Sequence, residues 1–292
     1  MNPSARLQHN KALLLLICTA LLWSTGGVLI KVIDWNPLAI SGMRSLLATA
    51  VIVTLLRKEH LTFSLPQILS CLGYAGNAIL IVAATKYTTA ANAIILQYSA
   101  PIFVALMSFW ILGERARKWD WLMIFICLAG LCLFFLDELQ PGHLLGNFLG
   151  ILSGIFFAVY ILFMRKQKDA YPLGSVFLGN ILVALVVLPF LVTSGPQNNI
   201  DWLYLLLLGF FQLGLAHVLY ASAIKNITAI ESSIVPFIEP IMNPIWVFLI
   251  ISERPGHWAI VGGFIILTSV FSYSVRSAMS KNRHLADISA AG

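Results

Sequence analysis

Glu239 is an acid in the middle of a long apolar run, ten residues into 229–251. An ionised carboxylate in hydrocarbon costs about 2.5–3.5 kcal/mol on insertion scales, and taking up a proton removes that cost. A group so placed can bind and release a proton as its surroundings change. The plainer alternative is a glutamate kept neutral, or paired with arginine, that only bridges helices. His217 is the one histidine inside the core of an apolar run and titrates near neutral pH. It is a second proton-coupling candidate and a substrate-binding candidate, or else a satisfied packing residue. Arg44 lies eight residues into another run, about 11 Å from its end at 1.5 Å per residue. Its planar fork can grip a substrate carboxylate through two hydrogen bonds, or pair with carbonyls or Glu.

Prolines surround the acid. Pro236, Pro240 and Pro244 recur every four residues, so they share one helix face. Each lacks an N–H and frees the carbonyl four residues earlier, at Ser232, Pro236 and Pro240. Pro101 does the same for Gln97 in a second run. Freed carbonyls at membrane depth need a cavity or another partner, so these prolines are expected to be hinges; the competing reading is a kink that only shapes packing. Trp23, Tyr74, Asn77, Asn92, Gln97, Tyr98, Tyr160 and Asn243 add hydrogen-bonding groups or aromatic walls to otherwise apolar stretches, as small-molecule sites do. Each can equally be glue between helices. Gly26-Gly27, Gly73 with Gly76, and Gly262-Gly263 read as close-packing contacts.

The elements that must carry these groups are membrane spans. The 292 residues are 59% hydrophobic and 10% charged, against about 25% charged in soluble domains. The net charge of +6 comes without a basic stripe interleaved with aromatics, so no nucleic-acid partner is expected. Cys18, Cys71, Cys127 and Cys132 sit in apolar runs without metal-ligand spacing and read as packing residues. No Walker loop, HExxH, CxxC or nucleophile elbow occurs, so no metal, cofactor or catalytic residue is expected. A span needs roughly 20 mainly apolar residues. That ruler predicts ten: 11–33, 37–56, 66–84, 89–113, 119–136, 143–164, 173–193, 202–222, 229–251 and 257–273. The first is too long for a signal-peptide core, and no small-residue cleavage site accompanies it. With the N-terminus inside, 14 of the 18 Lys and Arg fall in inner segments, three in outer ones, and Arg44 within a span. The positive-inside rule then puts both termini in the cytoplasm.

Residues 89–119 recur at 228–258 without a gap, 139 residues on. Thr89 falls on Thr228, Ile95 on Ile234, Pro101 on Pro240, Phe109 on Phe248, Glu114 on Glu253, Arg115 on Arg254 and Trp119 on Trp258. Two five-span halves, 11–137 and 143–275, follow. Five is odd, so the second half enters the membrane the other way round. Inverted repeats are a mark of secondary transporters, with substrate bound near the midplane between the halves.

The ten spans, the sequence LLWSTGGVLIK at 21–31, and AP…ILGE at 100–114 matched by EP…IISE at 239–253 resemble the drug/metabolite transporter superfamily, in particular its EamA family. The resemblance covers essentially the whole chain. Ala158-Val159 stand where the family pattern has Trp-Ser or Trp-Gly, and Ser252 replaces the glycine matched by Gly113. It implies an all-α polytopic carrier for amino acids, other metabolites or drugs. An arginine at the place of Arg44 is common in that family, which implies a structural pairing there. The expectation is a secondary transporter in a bacterial inner membrane that exports a small metabolite, in the first place an amino acid, by alternating access with proton coupling. Its partners are the lipid bilayer, the solute and protons, and a monomer suffices. Efflux of drugs or toxic compounds is the alternative within the class. An intramembrane enzyme or a non-transporting receptor is the alternative outside it.

Overall fold

The computed structural model describes residues 3–88, 90–136, 144–193, 195, 196, 198–251 and 256–290. Side chains are described for these except 3–6, 27, 28, 31, 85, 86, 90, 91, 193, 243, 244, 247, 248, 250, 251 and 280–290. Asn243 and Pro244 therefore lie outside the described side chains, and Thr89, Glu253 and Arg254 outside the described residues. The described residues are helical with no strand.

In chain order the helices are α1 (Pro3–Ser24), α2 (Gly26–Val32), α3 (Pro37–Leu55), α4 (Leu65–Tyr87), α5 (Ala90–Gln97), α6 (Ala100–Leu112), α7 (Lys118–Phe134) and α8 (Leu144–Lys166). Then follow α9 (Pro172–Val186), α10 (Leu188–Thr193), α11 (Asn199–Leu207), α12 (Ala216–Ala223), α13 (Ala229–Ile234), α14 (Ile238–Ile251) and α15 (His257–Ala290). A π-helical stretch, Leu208–Leu215, joins α11 to α12, and a 3-10 turn, Val235–Phe237, joins α13 to α14. Six stretches among the described residues are long and apolar enough to cross a membrane: Pro37–Leu55, Leu65–Ala84, Asn92–Leu112, Leu144–Lys166, Asn199–Ala223 and His257–Met279. Several expected spans are interrupted, as at Thr25 between α1 and α2, at Tyr98-Ser99 between α5 and α6 and at Val187 between α9 and α10.

Helix ends follow local chemistry. Asn36 caps α3, its Oδ1 accepting from Leu38 N at 2.9 Å, with Pro37 in the first turn. Thr228 and Glu231 close a reciprocal capping box on α13. At the end of α6, Gly113 takes φ +73°, a conformation that glycine adopts without strain. Its N–H returns to Phe109 O at 3.0 Å, and Ser108 Oγ donates to Glu114 O at 2.9 Å. That turn aims Glu114 back at the bundle.

The outer surface is apolar. Leu14, Trp110, Phe125, Phe148, Leu249, Phe264 and Phe271 are exposed, an area water would not tolerate on a monomer and hydrocarbon does. This is a membrane protein. Inside, the two halves interleave. α1 packs on α12 and α14, and in the 139-residue register its mate α8 packs on α4 and α6. α3 packs on the π-helical stretch and α4 on α9, while α7 packs on α15 and α6 on α13. Close approach needs small residues. A Cβ on Gly73 would stand 2.5 Å from the Tyr160 backbone nitrogen, so α4 and α8 meet backbone to backbone there.

Gly73→Ala should force α4 from α8 and destabilise by about 1–3 kcal/mol, as overpacking does. Thermal unfolding in detergent should show a clear drop for it and none for Gly195→Ala, where nothing lies within 4 Å of the added carbon.

Candidate functional site

The duplicated stretch is broken in both copies. α5 ends at Gln97, Tyr98 and Ser99 turn, and α6 restarts at Ala100 with Pro101 in its first turn. A first turn has no use for the missing N–H, so a kink expected within one helix is instead a junction of two. The Gln97 carbonyl is left without Pro101 as donor, and Gly154 on α8 makes room for it: a Cβ there would lie 2.9 Å from Gln97 O. In the second copy Pro236 is the second residue of the 3-10 turn and Pro240 falls in the first turn of α14.

The two breaks meet. Tyr98 and Phe237 are mates in the 139-residue register, and their rings pack with centroids 4.9 Å apart. The Tyr98 hydroxyl stands 3.1 Å from the Pro236 carbonyl, the one freed by Pro240, and 3.0 Å from Glu239 Oε2. Tyr98 is buried and Glu239 half-buried. One proton on the phenol can serve one of these acceptors at a time. Beside the first break, Gln97 Nε2 donates to Asn77 Oδ1 at 2.6 Å, which also accepts from Ser153 Oγ at 2.9 Å.

Next to the breaks lies an aromatic cluster from four helices. Trp23 (α1) packs on His217 at 5.1 Å and on Tyr220 at 5.4 Å, both from α12. Tyr74 (α4) packs on His217 at 5.1 Å and on Tyr160 (α8) at 5.4 Å. Phe157 touches Trp23 and Tyr160. The Tyr74 hydroxyl donates to Asn180 Oδ1 at 2.9 Å, and His217 Nδ1 lies 2.8 Å from the Leu213 carbonyl. A carbonyl only accepts, so Nδ1 carries the proton and Nε2 is the nitrogen free to gain one. Trp23 Nε1 and the Tyr160 hydroxyl are buried without a hydrogen-bond partner among the described residues, as is Nε of the half-buried Arg44. Arg44 is within electrostatic reach of Tyr74, His217 and Glu239. Aromatic faces, idle donors, one cation and one acid suit a small polar organic solute.

A second polar network closes one end of the bundle. Glu114 Oε1 accepts from Arg165 Nε at 2.9 Å, and its Oε2 from Ala229 N at 2.9 Å. Arg165 Nη1 also donates to the Ile224 and Lys225 carbonyls, each at 2.9 Å. Beside it, Glu231 accepts from Thr228 N at 2.7 Å and from Ser277 Oγ, with His9 Nε2 3.6 Å away. Six helices are tied together here: α1, α6, α8, α12, α13 and α15.

The structure thus groups Trp23, Tyr74, Tyr160 and His217 in one cluster, pairs Gln97 with Asn77 and Tyr98 with Glu239, and sets Arg44 within reach of both groups. Asn92 stands apart, donating to Thr88 Oγ1 at 3.2 Å next to Asn147. Sequence reasoning passed over Tyr220, Ser153 and Gln212, whose Nε2 donates to the Trp23 carbonyl at 3.3 Å. Their only signal was polarity within an apolar run. It also passed over Arg165, counted merely as a loop cation.

The model of the EamA-like transporter family matches residues 10–136 and again residues 144–275. A transporter of Archaeoglobus fulgidus, named as uncharacterized, is 27% identical over 291 residues, covering 90% of this chain and 97% of the relative. Human solute carrier family 35 member G1 is 23% identical over 284 residues, covering 89% and 78%. The pseudopaline exporter CntI of Pseudomonas aeruginosa is 26% identical over 241 residues, covering 79% and 84%. A crystal structure of a protein 18% identical in sequence matches with a TM-score of 0.78 over 89% of this chain and 95% of that one, which shows the fold.

The contact between the breaks is open to a double-mutant cycle. Tyr98→Phe keeps the ring on Phe237 but leaves the Pro236 carbonyl and Glu239 without their donor, a loss of about 1–3 kcal/mol. Unfolding of Tyr98→Phe, Glu239→Gln and the double variant should be non-additive by about 0.5–3 kcal/mol; strict additivity would show that the two side chains do not interact.

Proposed function

Because the chain belongs to the EamA-like transporter family and is a transport protein rather than an enzyme, we propose that it carries a small polar metabolite, in the first place an amino acid, outward by alternating access. The observation that carries this reading is the meeting of two helix breaks at Tyr98 and Phe237, with Glu239 and its idle-donor neighbours around them. Joining the helices across their interruptions gives ten spans in two inverted halves, 11–137 and 143–275. The lysine and arginine bias sets both termini on the cytoplasmic side of a bacterial inner membrane. The outward direction is supported by the relative named as an exporter.

In this arrangement the network of Glu114 and Arg165 holds the cytoplasmic end shut. Transport requires it to part while the outer end closes, with the breaks at Tyr98-Ser99 and Val235–Phe237 as hinges. Arg44 takes the carboxylate of the solute. Glu239 and the faces of Trp23 and Tyr160 take its ammonium group, a cation being attracted by aromatic faces.

Protonation then acts on the hinge through Tyr98. With Glu239 ionised, the phenol donates to the carboxylate and the Pro236 carbonyl goes without. With Glu239 protonated, the acid can donate to the phenol oxygen, whose own proton turns to Pro236. The state of the acid thereby decides whether the freed carbonyl is satisfied. His217 Nε2 is a second place for a proton. The aromatic cluster also favours a second reading, efflux of bulkier drug-like cations.

Proteoliposome counterflow separates these. The amino-acid reading expects labelled amino acid to exchange with unlabelled, at a rate that an imposed proton gradient raises in the wild type and leaves unchanged in Glu239→Gln. An equal proton response in Glu239→Gln removes the acid from coupling. Exchange of a lipophilic cation without any of amino acids moves the assignment to drug efflux.

A further inference from the structure

A groove of about 1090 Å³ opens between the connection from α6 to α7 and the far end of α15, away from the breaks. Arg115, Arg117, Lys118 and Arg276 line it, together with Trp119 and Tyr273. Arg276 is seated over the Trp119 ring, 4.4 Å from its centroid, and Arg115 over the Phe109 ring at 4.5 Å. These rings hold the two guanidinium groups in place.

The charges of the groove do not cancel. Its three carboxylates are all engaged within the protein: Glu114 with Arg165 and Ala229 N, Glu231 with Thr228 N and Ser277, and Asp120 with Arg117 N at 2.7 Å and the Tyr273 hydroxyl at 3.1 Å. The ion pairs seen among the described residues include His9–Glu231, Arg57–Glu59 and Arg165–Glu114, none of which takes up Arg115, Lys118 or Arg276. Arg115, Lys118 and Arg276 therefore have no carboxylate partner among the described residues.

The position is that of a membrane boundary. The apolar stretch of α15 ends at Met279 and α7 begins at Lys118, while Trp and Tyr are the residues that settle at headgroup level. Below Arg276, Phe271 and Val275 lie at i and i+4 on α15, exposed to 72% and 42%, and Met279, exposed to 55%, follows one turn beyond. An apolar strip running up to unpaired cations fits a ligand with an acyl chain below an anionic head.

We propose that this groove binds an anionic phospholipid of the surrounding leaflet, with its phosphate held by Arg115, Lys118 and Arg276 and a chain laid along Phe271 and Val275. Basic pockets between helices at the membrane surface hold lipid headgroups in this way. His9, Glu114, Thr228 and Glu231 line the same groove, so the lipid sits on the network that closes this end of the bundle.

A photoreactive phosphatidylglycerol added to the full-length wild type in phosphatidylcholine nanodiscs is expected to label peptides covering 115–120 and 271–279. Excess phosphatidylglycerol should suppress the labelling and excess phosphatidylcholine should not. In native mass spectrometry, Arg115→Gln, Lys118→Gln and Arg276→Gln should each weaken phosphatidylglycerol retention by roughly fivefold, the loss of one cation's attraction for an anionic leaflet. Arg57→Gln, an exposed cation on the connection between α3 and α4, should keep the wild-type value. Labelling spread evenly over the lipid-facing helices overturns the proposal without needing any variant. So does equal competition by phosphatidylcholine, or by inorganic phosphate at matched concentration, the last assigning the site to a free anion.

Discussion

A backbone carbonyl inside a bilayer must find a donor, and in this chain one of them finds it in the other half of the molecule. Pro240 cannot supply an N–H to the Pro236 carbonyl. Water is not at hand in hydrocarbon. Tyr98 stands 3.1 Å away and supplies the hydrogen bond whenever its proton is not on Glu239, at the place where Pro101 interrupts its own helix. Two proline-made gaps, one in each copy of the same segment, thus complete each other. The rest of the bundle is arranged so that these copies can touch: α8 lies along α5 and α6, and α1 lies along α14.

The copies share a scaffold and differ in chemistry. The acid belongs to the second, since Glu239 has Ala100 as its register mate. The Arg165–Glu114 pair likewise draws on residues that are not both duplicated in the sequence. Glu114 has a mate in Glu253, but Arg165 has only Gly26, so the partner arginine is not duplicated on the other side. With side-chain exposures of 12% and 20%, the Arg165–Glu114 pair is shielded enough to outweigh an exposed pair such as Arg57–Glu59.

Much of this was legible in the residues. Composition fixes a membrane chain, and the ungapped match of 89–119 with 228–258 fixes the duplication, because neither depends on side-chain placement. Gln97, Tyr98 and Glu239 stood out as polar groups in apolar runs, and the structure brings them to the two breaks. The form of the breaks was less accessible. Proline spacing predicts where a helix cannot continue, but whether it bends or stops depends on the neighbour, here on Gly154 leaving space for the Gln97 carbonyl. The aromatic cluster was only half visible. Tyr220 and Phe157 look like ordinary apolar filling until Trp23, Tyr74 and His217 are seen around them. Arg165 was hidden for another reason: charge counting treats every cation near a helix end alike, and only contact with Glu114 separates it from Lys166 and Lys168.

The account stands on the end closed by Glu114 and Arg165 opening during each cycle, and a reversible covalent tie across it is the most direct measurement. Glu114→Cys with Ala229→Cys, in a background without the four native cysteines, puts one thiol in place of the carboxylate and a second on the residue whose backbone nitrogen that carboxylate now meets at 2.9 Å. Oxidation should stop counterflow and reduction should restore it, while the rate of each single-cysteine variant does not change between oxidised and reduced samples. Undiminished exchange through fully cross-linked protein would contradict the account, because the solute would then be crossing without that end ever opening.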